Sequence, residues 1–243
     1  MAKKKKFDGG SKNSRKAFLE LPKGFTTINP NETFRFHCSN CGDCCRNAHK
    51  GIMLESLDLF RLAKHLKVLG HGNQEIGDVL EEYADPSYLI GAEYFPLFTL
   101  KTVGSDDACI FLKDNRCSVQ QAKPRACRTY PLCAEPSDIQ KSKFDYIIIS
   151  NKPHHFTGAE IRADEWMDAY FTDEDREFVI LDTNAAVELA PFLNKLRQKG
   201  VDKNKVLRAF ISYKYLMYEL DEPFMPQFIR NMAILKKILS DML

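Results

Sequence analysis

The sequence contains no run of about 20 apolar residues, the length that a helix needs to cross a bilayer. Its first 23 residues also lack the apolar segment of a secretory signal. These two absences predict a cytoplasmic protein that has no membrane partner. In a reducing compartment, eight cysteines indicate metal or redox chemistry rather than a disulfide framework.

Motifs of several enzyme classes are missing as well. No G-x-G-x-x-G follows a predicted strand, because Gly70, Gly72 and Gly77 have a different spacing and lie in a linker between predicted helices. The C-x3-C-x2-C pattern of radical enzymes is absent, and no Ser/His/Asp signature stands out. The sequence therefore gives no direct support for dinucleotide, radical or triad chemistry.

Charge is distributed unevenly along the 243 residues. The formal net charge is +2, but residues 1–23 hold eight Lys/Arg and only two acidic residues, so the remainder is slightly acidic. We predict that residues 1–23 are a disordered basic arm. We do not expect this arm to bind nucleic acid, because Phe7 and Phe18 are its only aromatic residues for base stacking.

The cysteines divide the rest of the chain, since all of them precede residue 134. We predict an α+β fold: a small cysteine-rich module of short strands and helices over residues 24–150, followed by a helical part over residues 151–243. Ser56 is predicted to cap a helix that runs to about Val68. Apolar residues at alternating spacings of three and four predict two antiparallel helices near the C-terminus, over about 206–220 and 225–242.

Four thiols are concentrated in the stretch FHCSNCGDCCR, at Cys38, Cys41, Cys44 and Cys45. Two residues between thiols allow a tight loop to turn its sulfurs toward one metal centre. The C-x2-C-x2-C spacing is that of loops that bind three corners of a 4Fe–4S cluster and take a remote fourth ligand. Tetrahedral zinc more often uses pairs of cysteines from two loops.

The remote ligand is expected among the downstream thiols, which are Cys109, Cys117, Cys127 and Cys133. Adjacent cysteines point in different directions on most backbones, so Cys44 and Cys45 are not expected to share one ion. Cys45 is predicted either to face a second centre or to be a buried free thiol. An iron–sulfur cluster is the favoured cofactor, and zinc is the alternative.

A predicted hairpin leaves the relation between Cys109 and Cys117 open. If Asp114 and Asn115 form a two-residue turn, Cys117 pairs with Leu112, and Cys109 then lies on the other face. A shift of one residue would put both cysteines on the same face, where they could bind one metal.

Several charged and imidazole side chains accompany the thiols. Arg46, Arg125 and Arg128 are predicted to offset the negative charge of a metal–thiolate centre. His37 and His49 could each replace a thiol ligand, although His37 is better explained as a strand-edge residue. The pair His154-His155 is interpreted as a plain loop, since adjacent side chains point apart.

FHCSNCGDCCR, together with CIFLKDNRCSVQQAKPRACRTYPLC, resembles the YkgJ-type cysteine-cluster family, a zinc- or iron-chelating CxxCxxCC domain. The resemblance covers about residues 34–150, and all eight cysteines can be placed on the family pattern. It implies a metal-chelating module. Lys123 stands where the family usually has arginine, which keeps the charge but loses the bidentate fork.

Three functions are compatible with these patterns. The first is a metal-binding protein whose eight cysteines hold an iron–sulfur cluster or zinc in a structural or electron-transfer role. The second is a protein lysine methyltransferase that uses S-adenosylmethionine, through a weaker resemblance to flagellin lysine-N-methylases. The third is a thiol redox sensor in which Cys45 or Cys133 reacts beside Arg46 or Arg128. The sequence does not identify a protein partner.

Overall fold

A computed structural model describes residues 21–70, 75–88 and 92–243. Residues 1–20 of the predicted basic arm and residues 71–73 of the predicted linker lie outside the described residues. Within that part of the chain, no helix is both long and apolar enough to cross a membrane.

The described residues form seven α-helices and twelve short strands, which confirms the predicted α+β class and the helical C-terminal part. The helices are α1 (Ser56–Val68), α2 (Ile76–Tyr83), α3 (Arg125–Arg128), α4 (Ala163–Tyr170), α5 (Asp173–Gln198), α6 (Lys203–Ile211) and α7 (Phe224–Asp241). The strands are β1 (Phe25–Ile28), β2 (Thr33–Arg35), β3 (Met53–Leu54), β4 (Ala84–Tyr88), β5 (Pro96–Leu100), β6 (Thr102–Val103), β7 (Ala108–Cys109), β8 (Leu112–Lys113), β9 (Arg116–Cys117), β10 (Leu132–Asp138), β11 (Lys143–Ile149) and β12 (Glu160–Arg162).

All strand pairs are antiparallel and build small sheets rather than one large one. The three-stranded sheets have the orders β1-β11-β10 and β3-β5-β4, and the two-stranded sheets are β2-β12, β6-β7 and β8-β9. Short strands leave much of the backbone in turns, so the chain between β5 and β10 can bend repeatedly around one region. Cys109, Cys117 and Cys127 lie in this stretch.

Two helix predictions need correction in detail. Helix α1 has the predicted bounds, but Glu55 is its N-cap, in a capping box with Asp58, and Ser56 is already helical. The helix predicted over about 206–220 ends at Ile211 and passes into a π-helical turn, Ser212–Leu216. This turn places Tyr215 inside the core, where its hydroxyl donates to the carbonyl oxygen of Pro96 at 3.2 Å.

One continuous cluster of buried apolar residues extends from β1 to α7. Strand pairing also crosses residue 150, because β12 pairs with β2, and the ring of Phe60 in α1 lies 5.2 Å from that of Phe224 in α7. The division at residue 150 stays a prediction. The packing joins its two sides into one core.

Asp175, in the first turn of α5, connects the C-terminal helices to the cysteine-bearing region. Its side chain is 1% exposed and accepts hydrogen bonds from Arg61 and Arg128, each at 2.6 Å, and from the Thr172 hydroxyl at 2.7 Å. Burial disfavours the charged form, but Arg61, Thr172 and Arg128 together outweigh it and lower the pKa of Asp175. Asp175 thus fixes α3, which carries Cys127, against α5.

Asp175→Ala is expected to lower the free energy of unfolding by about 3–5 kcal/mol, because it leaves two partly buried guanidinium groups without their shared carboxylate. Asp173→Ala, an exposed change in the same helical turn, should cost no more than about 0.5 kcal/mol. Urea unfolding of both variants measures the difference. Equal stabilities would contradict the structural role of Asp175.

Candidate metal centre

Three separate stretches supply the eight thiols. Cys38, Cys41, Cys44 and Cys45 lie in the loop after β2, where Asp43–Cys45 forms a 3-10 turn. Cys109 and Cys117 come from β7 and β9, at the bends between β5 and β10. Cys127 lies in α3, which is held in place by Asp175, and Cys133 lies in β10. All eight are free cysteines.

Every cysteine lines one of two adjoining cavities. The larger, here called the core chamber, has a volume of about 420 Å³ and is lined by six cysteines: Cys44, Cys45, Cys109, Cys117, Cys127 and Cys133. The second, here called the loop chamber, has a volume of about 320 Å³ and is lined by Cys38, Cys41, Cys44, Cys45, Cys117 and Cys127. Four cysteines therefore face both chambers, and two downstream thiols, Cys117 and Cys127, share the loop chamber with Cys38 and Cys41.

The premise about Cys44 and Cys45 was wrong. Their Sγ atoms lie 3.9 Å apart, because the tight 3-10 turn directs both side chains to the same side of the loop. Tetrahedral zinc with Zn–S bonds of about 2.3 Å would separate two sulfurs by about 3.8 Å. Neighbouring cysteines can thus be ligands of one ion here.

The hairpin has the register with Leu112 opposite Cys117 and a two-residue turn at Asp114 and Asn115. The expectation that Cys109 would then lie on the other face was wrong, because it assumed a continuous strand from Cys109 to Leu112. The chain turns between β7 and β8, so strand alternation does not apply. Cys109 and Cys117 consequently line the same core chamber.

The proximity of the sulfurs is reflected in their pKa values. A hydrogen bond from Cys45 lowers the pKa of Cys44 to about 6, and the same bond, with burial, raises that of Cys45. Burial raises the pKa of Cys109, Cys117 and Cys127, and neighbouring sulfurs add to each of these rises. Bringing several of these thiols to the thiolate form requires a cation among them.

The predicted arginines have carboxylate or amide partners. Arg125 forms a bidentate pair with Glu55 at 2.7 and 2.8 Å, and Arg128 donates to Asp175. Arg46 donates to the Asn115 side chain at 2.8 Å and also lines the core chamber. The role of these arginines in offsetting thiolate charge stays a prediction.

Lys123, at the position where the sequence departs from the family pattern, lines both chambers. Its positive charge acts to lower the pKa of Cys44 and of Cys117. Lys123 thus places a positive charge beside the thiols of both chambers.

The interpretation of His154 and His155 as a plain loop was also wrong. Both imidazoles reach Cys41, with Nε2–Sγ distances of 3.6 Å for His154 and 3.2 Å for His155. Hydrogen bonds from His155, then from the Asp43 backbone and His154, lower the pKa of Cys41 to about 6. Sequence reasoning missed this because the histidines lie more than 110 positions from Cys41.

His37 and His49 are arranged differently. The backbone N–H of His37 donates to the carbonyl oxygen of His155 at 2.9 Å, so His37 helps to hold the loop that carries the two histidines. His49 Nδ1 lies 3.8 Å from an oxygen of Asp107 at the surface. Within the described residues, neither imidazole is hydrogen-bonded to a thiol.

Comparison with known proteins identifies the cysteine-bearing region. Residues 37–148 match the model of the CxxCxxCC family, described as "Putative zinc- or iron-chelating domain". The match covers 112 of the 243 residues, so it shows a similarity of this region rather than of the whole chain. No curated protein and no solved structure matched the chain. His154 and His155 lie beyond the matched region, so the CxxCxxCC domain is extended here by residues from the following segment.

Gly42 fixes the geometry of the CxxCxxCC loop. Its φ of 73° is in the left-handed region, and a Cβ at this position would lie 3.1 Å from the Cα of Asn115 and from Cδ1 of Leu112. The absence of a side chain thus lets the loop pack directly on the β8–β9 hairpin. This contact sets Cys41 and Cys44 relative to Cys117.

Gly42→Ala is expected to reduce both stability, by at least about 1 kcal/mol, and the metal content of the purified protein. Gly200→Ala is the matched control, since Gly200 has a similar φ of 65° and a Cβ added there would meet no described atom within 4 Å. Thermal unfolding and elemental analysis compare the two variants. Identical losses in both would show that crowding against the hairpin is unimportant.

Proposed function

We propose that the chain is a metalloprotein whose core chamber holds a thiolate-ligated iron–sulfur cluster in a structural or electron-transfer role. The observation that carries this proposal is the convergence of six cysteines on one cavity of about 420 Å³. Four of these six thiols would supply the terminal ligands of a 4Fe–4S cluster. The family's zinc- or iron-chelating description supports a bound metal but does not distinguish the two, and iron is part of the proposal.

The spacing of the sulfurs supports a cluster over a single ion. Four sulfurs around one tetrahedral ion lie within about 3.8 Å of one another and leave little space between them. Among the described residues, one group of at least three possible ligands has all its ligand atoms within 4.8 Å of one another, and its single cysteine is Cys41. The sulfurs that line the core chamber therefore do not form so tight a group. A chamber far larger than the ~30 Å³ of one water molecule instead suits several metal ions with bridging sulfides.

This assignment differs from the one that the C-x2-C-x2-C spacing predicts, in which Cys38, Cys41 and Cys44 bind three corners of one cluster. Cys38 and Cys41 line the loop chamber and not the core chamber, whereas Cys44 and Cys45 line both. We therefore expect the four cluster ligands to come from among Cys44, Cys45 and the four downstream cysteines. Cys44 is exposed, so the proposed centre lies close to the surface, which is compatible with electron transfer.

Zinc in the same chamber is the second candidate. It is favoured by the 3.9 Å between the Sγ atoms of Cys44 and Cys45, which is close to the spacing expected on one tetrahedral ion. A zinc centre would be structural, since zinc has no redox chemistry in proteins.

The remaining alternatives have less support. A redox sensor based on Cys133 is disfavoured because burial raises the pKa of this thiol to about 11. The pKa of Cys45 is raised too, so the thiols with lowered values are Cys41 and Cys44. The methyltransferase alternative rests on the resemblance alone, and we do not propose it.

Anaerobic purification, followed by elemental analysis and visible spectroscopy, tests the cluster. We expect a brown protein that contains iron and acid-labile sulfide and whose visible absorbance bleaches on reduction. Cys109→Ser should abolish this absorbance, because Cys109 is the most buried of the thiols. Cys38→Ser, in an exposed residue that lines only the loop chamber, should retain most of it.

A colourless anaerobic protein with stoichiometric zinc would overturn the iron–sulfur proposal in favour of the second candidate. Equal and complete loss of metal in both variants would contradict the division of the cysteines between the chambers. Protein purified in air is not a valid sample, because oxygen can destroy an iron cluster and zinc can replace it.

A further inference from the structure

We propose that Cys41, His154 and His155 form a second metal site, which binds a single tetrahedral divalent ion such as zinc. This site lies at the loop chamber and is separate from the cluster proposed for the core chamber. It uses two histidines beyond the matched CxxCxxCC region.

The distances from Cys41 to the two imidazoles are those between ligands of one tetrahedral ion. Zinc bonds of about 2.3 Å to sulfur and 2.0–2.1 Å to nitrogen give a sulfur–nitrogen separation of about 3.6 Å. The observed separations from Cys41 Sγ are 3.6 Å to His154 Nε2 and 3.2 Å to His155 Nε2. Cys41, His154 and His155 are all within 4.8 Å of one another, as ligands of one ion must be.

Asp43 lies beside His154 but not within 4.8 Å of all three ligand atoms, so its side chain would have to turn toward Cys41 to become the fourth donor. Its Oδ2 atom lies 3.5 Å from His154 Nε2, close to the nitrogen–oxygen separation of about 3.4 Å around a tetrahedral ion. Lys152 Nζ lies 3.4 Å from the same oxygen and would have to share it with the metal. One thiolate, two imidazoles and one carboxylate are all common zinc ligands.

His155 is held in the orientation of a ligand. The residue is only 4% exposed, and its Nδ1 atom is 3.0 Å from the Tyr130 hydroxyl. In the metal-bound form we place the proton on Nδ1, which donates to the Tyr130 oxygen and frees the lone pair of Nε2 for the ion. Metal-binding histidines are commonly fixed by such a hydrogen bond on the other ring nitrogen.

The local backbone explains how adjacent histidines can serve one ion. Pro153–His155 forms a 3-10 turn, and the two ring centroids are only 4.2 Å apart. The backbone hydrogen bond from His37 to His155 anchors this turn beside the CxxCxxCC loop. Two turns that are distant in sequence thus present donors to the same point.

The same atoms could instead form a nucleophilic cysteine–histidine pair. Such a pair needs one imidazole on the sulfur, oriented by one further group. Here two imidazoles approach Cys41, and a carboxylate approaches one of them. The convergence of several donors around the sulfur favours a metal.

Cobalt(II) titration of the full-length protein, purified anaerobically with its core-chamber metal in place, tests the site. We expect one cobalt per chain with the intense visible bands of a tetrahedral ion and a thiolate-to-metal charge-transfer band. His154→Ala/His155→Ala should weaken binding of this equivalent at least tenfold. His49→Ala, which removes an exposed imidazole near the loop, should leave it unchanged.

The core-chamber metal is measured in the same samples, which separates the two proposals. Unchanged cobalt binding in the double variant would overturn the site, and slower alkylation of Cys41 in that variant would then point to the nucleophilic pair. Loss of the core-chamber metal together with cobalt would also overturn the second site. The histidines would then stabilise the fold around both chambers rather than bind a separate ion. Cys109→Ser should lose the core-chamber metal yet still bind cobalt at the histidines.

Discussion

The crowding of sulfur atoms around one chamber is the constraint on which the rest of the architecture depends. Six cysteines from three stretches of chain line the core chamber, and burial, with neighbouring sulfurs adding to it, raises the pKa of thiols such as Cys127 and Cys109. Several thiolates can coexist there only beside positive charge. Lys123 supplies part of that charge, and a bound metal would supply the rest, so metal binding and folding should be coupled.

The helical C-terminal part contributes to this arrangement rather than standing apart from it. Asp175 fixes Arg128 next to Cys127, and the indole N–H of Trp166 donates to the carbonyl oxygen of Thr129 at 2.8 Å. His154 and His155 complete the surroundings of Cys41. The continuous apolar cluster that reaches α7 joins the cysteine-bearing region and the C-terminal helices into one core.

The sequence was sufficient for features that depend on local pattern. The extents of α1 and α7 follow from nearby residue types. Features that depend on tertiary contacts escaped prediction. The common direction of Cys44 and Cys45 is set by a 3-10 turn, and the approach of His154 to Cys41 depends on packing across more than 110 residues, which periodicity and spacing do not encode.

X-ray absorption at the edge of the bound metal, on protein purified anaerobically, tests most directly the claim that the cysteines hold the metal. We expect a first shell dominated by sulfur at about 2.3 Å. With iron bound, we also expect a second shell of neighbouring iron atoms, as in a cluster. A first shell that contains only oxygen and nitrogen would contradict this claim, because it would leave the converging thiols without a part in metal binding.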